Sequence, residues 1–155
     1  MADKKQAPQG WALGENMNAP LYDLVHGLAL DIANASANEN DTAGSQAYEA
    51  LKELCQSHEG EELDHPLQWE ALGDFSENHE EALQAYRKGL TCSSNLELSE
   101  YSASIKFAMA EIYFEQNNRN KAIQLASEAD LEAASTNAYE LKLAIKEFIN
   151  ELSRS

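Results

Sequence analysis

Apolar residues recur at helical spacing along most of this 155-residue chain. Leu21, Leu24, Val25, Leu28 and Ile32 make one stripe after Pro20, a residue suited to the first turn of a helix. Ala47, Ala50, Leu51 and Leu54 make a second, with Asn40 or Asp41 as cap. A short third helix is predicted from about Leu67 to Phe75, opened by Pro66 and capped by Asp64 or His65. Asn78 is placed to cap the fourth, with Glu80 and Glu81 near its positive end. Thr91 to Asn95 is read as a connector, followed by a long fifth helix from about Leu96 to Gln116. Its inward residues are Tyr101, Ile105, Met109, Ile112 and Tyr113. The sixth covers about Arg119 to Ala133. Ser135 or Thr136 is the expected cap of the seventh, whose stripe is Leu141, Ile145, Phe148, Ile149 and Leu152. Lys142, Lys146, Glu147 and Asn150 supply that last helix with a polar outer face.

Two stretches share an internal layout. In one, Met109, Ala110 and Tyr113 lie on one helix face, Asn117 and Asn118 interrupt it, and Ala122, Ala126 and Ala129 line the next helix. In the other, Trp69, Leu72 and Gly73 precede Ala82, Tyr86 and Gly89. Small residues let two antiparallel helices approach closely while the large ones fill the space between them. A hairpin of this kind cannot bury its apolar flank alone, so repeated hairpins imply a stack.

These residues resemble the tetratricopeptide repeat family. Its motif sets an aromatic, Leu-Gly and a second aromatic on the first helix, then Ala, an aromatic and a small residue on the second. Trp69, Leu72, Gly73, Ala82, Tyr86 and Gly89 match those types in order. Met109, Ala110, Tyr113, Ala122, Ala126 and Ala129 match again, with Ala126 in place of the aromatic. Trp69 to Ala82 is shorter than the family spacing, and Ala82 to Ala122 spans 40 residues where the family period is about 34. The likeness covers roughly Pro66 to Ala133. It implies an all-α fold, a right-handed stack of antiparallel helical hairpins (a TPR-like α-solenoid) with seven helices. Residues 1–18, with Trp11, Leu13 and Met17, are read as a flexible arm, and 19–155 as one repeat domain closed by a capping helix.

The net charge of −16 turns this architecture away from DNA, RNA and anionic membranes, whose phosphates it repels. Through Phe75 there are 14 acidic residues against 3 basic ones, and no basic residue lies between Lys5 and Lys52. Cys55 and Cys92 form no CxxC and no disulfide framework. With no apolar run of membrane-spanning length and no signal-like start, a cytoplasmic location is expected.

No chemistry-bearing motif accompanies the helices. Gly27, Gly44, Gly60 and Gly73 are isolated, and neither GxSxG nor HExxH occurs. Adjacent carboxylates such as Glu61 with Glu62 diverge on a helix. His58, Glu62, Asp64 and His65, with Cys55 one turn earlier, carry donor types a divalent metal accepts, but in no known ligand spacing. No metal or other cofactor is expected, and a metal-dependent hydrolase has the weakest support of the readings. The resemblance implies a non-catalytic adaptor or scaffold that binds a protein or peptide along the concave face of the first helices. In that register Phe107, Glu111, Phe114 and Glu115 face the groove from the fifth helix, and Glu70 and Asp74 from the third. Phe107 and Phe114 are two turns apart and suit a basic partner with apolar anchors. The competing reading makes both rings core of a helix buried all round. An acidic TPR-type chaperone for a secreted or aggregation-prone client is the alternative function. A homodimer through the first or last helix stays open.

Overall fold

The computed structural model describes residues 18–154, and all regular structure within them is helical. There are seven helices among the described residues: α1 (Tyr22–Ala37), α2 (Asp41–Ser57), α3 (Pro66–Phe75), α4 (His79–Asn95), α5 (Ser99–Glu115), α6 (Arg119–Ala133) and α7 (Tyr139–Arg154). The arm proposed at the N-terminus, with Trp11, Leu13 and Met17, lies outside the described residues. Packing divides the chain into two compact units, one reaching Ala85 and the other starting at Tyr86, so the boundary falls inside α4.

One turn design is used three times. At the ends of α1, α4 and α5, a residue with positive φ (Glu39, Glu97 and Asn117, at 55°, 57° and 61°) reverses the chain. Each carries the paired bonds of a Schellman motif: Asn40 N to Ala35 O, Leu98 N to Ser93 O and Asn118 N to Tyr113 O, all 2.8 Å, with Glu39 N to Ser36 O, Glu97 N to Ser94 O and Asn117 N to Phe114 O inside them. The residue after the reversal then begins the next helix. Asn40 and Asn118 cap α2 and α6 by accepting from Ala43 N and Lys121 N, at 3.1 and 3.2 Å. Leu98 stands in the same place before α5 without a side-chain cap.

That design corrects two expected boundaries. α4 continues through Thr91–Asn95, because the Thr91 and Ser93 hydroxyls donate back to Arg87 O and Leu90 O instead of leaving the helix. α5 accordingly starts at Ser99, after the reversal at Glu97. Neither Ser135 nor Thr136 is the residue preceding α7. Thr136 Oγ1 accepts from Ala138 N one step earlier, at 3.3 Å. Asn40, His65 and Asn78 do cap as expected, His65 accepting from Leu67 N and Asn78 from Glu81 N.

In the first unit α1, α2 and α3 pack on one another. The buried face of α1 is Val25, Ala29, Ile32 and Ala35, while Leu24 points outward. On α2 it is Ala47, Leu51 and Cys55, one residue every four, leaving Ala50 exposed and Leu54 half-buried. Nine of the ten residues of α3 are buried. The loop before α3 is tied to it by Asp64, which accepts from Trp69 Nε1 (2.7 Å) and from the Gly60 amide (2.8 Å). Gly60 itself has φ +77°, a conformation glycine adopts without strain.

In the second unit α5 and α6 form a close antiparallel pair. Ala103, Ala110, Ala122, Ala126 and Ala129 are fully buried, so the two backbones meet across a seam of methyl groups, with Met109 beside it. α7 packs on α6. Ala103, Ala129, Ala133 and Ile145 form a shared core against which Phe107, Leu141 and Ile149 rest.

Candidate functional site

The buried residues of α5, Tyr101, Ala103, Ile105, Met109 and Ala110, do not fall on a single stripe. The helix is therefore covered on more than one side, and the arc through Glu111 and Glu115 is exposed. Phe107 and Phe114 border that arc on one side and are half-buried. Both meet the same ring, Phe148 of α7. Its centroid lies 5.6 Å from Phe107 and 5.8 Å from Phe114, edge-on to each, at 75° and 84°. Edge-to-face packing sets the positive rim of one ring against the negative face of another.

Glu111 sits between these rings in sequence. No hydrogen bond or ion pair holds its carboxylate among the described residues. Partial desolvation, helped by the neighbouring Glu115 charge, raises its pKa above the usual glutamate value. Here the face combines apolar rings with a carboxylate that lacks a cation. Glu70 and Asp74 belong to α3 in the first unit, where Glu70 is buried and Asp74 half-buried.

One cation on α5 is already committed. Lys106 Nζ donates to Glu128 (3.1 Å) and Glu132 (2.5 Å) on α6. Burial pulls its pKa down, but the two carboxylates outweigh this and the net shift is upward. Ser93, Ser99 and Ser102 line a shallow cleft of about 360 Å³ with Lys106. An ammonium held protonated in this way does not serve as a base toward those hydroxyls.

Three of the donors grouped around His58 serve structure instead. Asp64 uses both oxygens on Gly60 and Trp69, His65 caps α3, and the Cys55 thiol donates to Gln68 O at 3.2 Å. Among the described residues no group of three or more His, Cys, Asp or Glu is arranged to hold a metal ion. None of the helices among them is long and apolar enough to cross a membrane.

Sequence reasoning named the four α5 residues but missed Phe148 as their neighbour. It was legible as a core position of the last helix, yet which rings it meets depends on how α7 crosses α6. Lys106 was likewise missed, since its partners lie 22 and 26 residues away. In comparisons with protein-family models, curated proteins and solved structures, nothing matched this chain.

Proposed function

We propose that this chain is a non-catalytic adaptor that binds a basic protein or peptide with apolar anchors along the exposed arc of α5. The reading is carried by Glu111: an unpaired carboxylate, partly desolvated, flanked in sequence by two aromatic rings. A lysine or arginine brought to it replaces lost hydration, while apolar side chains beside it use the ring surface. The net charge of −16 adds long-range attraction for the same class of partner. The finer architecture belongs to the same proposal, a right-handed stack of hairpins in the manner of tetratricopeptide repeats, with a cytoplasmic location.

Selection from a random peptide library tests the reading. Enriched peptides are expected to combine Lys or Arg with Phe, Leu or Ile, and to weaken about tenfold or more against Glu111→Lys, a like-charge juxtaposition. A cation at Glu111 stabilises its ionised form, so binding releases a proton and weakens as pH falls through the raised pKa. Enrichment of neutral or acidic peptides, or binding indifferent to Glu111→Lys, would sink the proposal. The acidic-chaperone alternative predicts a client that stays bound through purification.

A further inference from the structure

α7 is held less deeply than the helix it lies on. Its buried residues are Ile145 and Leu152, against Ala122, Leu125, Ala126, Ala129 and Ala133 in α6. Leu141, Phe148 and Ile149, the rest of its apolar stripe, are half-buried. An ion pair from Lys146 to Asp130 of α6, 3.2 Å long, adds an exposed contact. The connector before α7 satisfies itself locally. Thr136 donates to Ala133 O through its amide (3.0 Å) and its hydroxyl (2.7 Å), and Tyr139 N donates to Asn137 O at 2.9 Å. Moving α7 away leaves these bonds in place and strands no connector amide that they satisfy.

We propose that α7 is a resident occupant of the α5–α6 face, and that the external partner is an amphipathic helix of the same pattern. This deepens the adaptor reading and rests on it. α7 shows what the face accepts: one ring seated edge-on between Phe107 and Phe114, and aliphatic side chains at the positions of Ile145 and Ile149 against Ala103, Ala129 and Ala133. A lysine meets Asp130. Phe148 covers the ring surface and Lys146 covers Asp130, while Glu111 stays exposed for first contact. Partner binding is coupled to release of α7, and the apparent affinity is the intrinsic one multiplied by the fraction of molecules in which the face is uncovered.

A labelled peptide spanning residues 139–154 is the probe, titrated against the full chain by fluorescence anisotropy. Phe148→Ala and Lys146→Glu in the full chain loosen α7 without altering the face beneath it. Each is expected to bind the peptide about tenfold tighter than the parent chain does, the effect of uncovering a site occupied most of the time. A peptide carrying Phe148→Ala should lose that binding, a control that does not depend on any variant folding. Hydrogen exchange on the parent chain supplies a second measurement: α7 amides should exchange at least tenfold faster than those of α5 and α6. No peptide binding to either variant, or exchange of α7 in step with α6, overturns the resident-helix inference. Library peptides that still respond to Glu111→Lys would in that case leave the adaptor reading standing.

Discussion

His65 caps α3 through a nitrogen that protonation at low pH would occupy. Its Nδ1 accepts the Leu67 amide at the start of α3, which requires that nitrogen to be unprotonated. Burial lowers its pKa, opposed only in part by Asp64. A depressed folded-state pKa means the contribution is complete above the unfolded value of about 6.5. It is lost as pH falls from there through the folded value. His65→Asn keeps a side-chain acceptor that does not titrate in this range, so the parent should lose stability relative to it as pH falls from 7 to 5. His65→Ala should be weaker by about 1 kcal/mol already at pH 7. Urea unfolding of the three proteins at both pH values decides this, and parallel losses in parent and His65→Asn would assign the acid sensitivity elsewhere.

At the scale of elements, the three matched reversals explain why boundaries were harder to read than helices. Glycine is the usual sign of a left-handed helix stop, and here Glu39, Glu97 and Asn117 take that place instead. Asn117 was legible because asparagine tolerates this conformation, and the break before α6 was correctly placed. Glu97 gave no such signal. With a polar Thr-Cys-Ser-Ser-Asn run before it, the end of α4 was set five residues too early. Alanine hid part of the core for a related reason: Ala29, Ala35 and Ala103 read as neutral in a hydrophobic stripe yet are buried where helices approach closely. The same reversals carry a prediction. Glu39→Gly or Glu97→Gly removes a steric cost of about 1–2 kcal/mol and adds some chain entropy to the unfolded state, for a net gain of about 0.5 kcal/mol. Asn117→Gly should gain less. A shifted urea midpoint with an unchanged slope is the expected signature.

For the whole molecule, the all-helical class and seven-helix count were legible because most stripes last two turns or more, and Pro66 and the Asn78 cap marked the short α3 that has none. Which stripes share a core was less so, since that depends on crossing geometry, as with Phe148 and the α5 rings. Charge is distributed as unevenly as its sequence implies. Residues 18–85 hold 15 acidic side chains and a single basic one, Lys52, whereas residues 86–154 hold 10 and 8. Ionic strength should therefore act on the two units in opposite senses. At about 0.1 M salt, charges more than roughly 10 Å apart are screened, which relieves self-repulsion in the first unit. The same counterions weaken the exposed attraction between Lys146 and Asp130 in the second. Added potassium chloride is expected to raise protection of α1–α3 amides while that of α7 falls, and a uniform response along the chain would count against it. In a crowded ionic solution, one half of this protein tightens under the conditions that loosen the other.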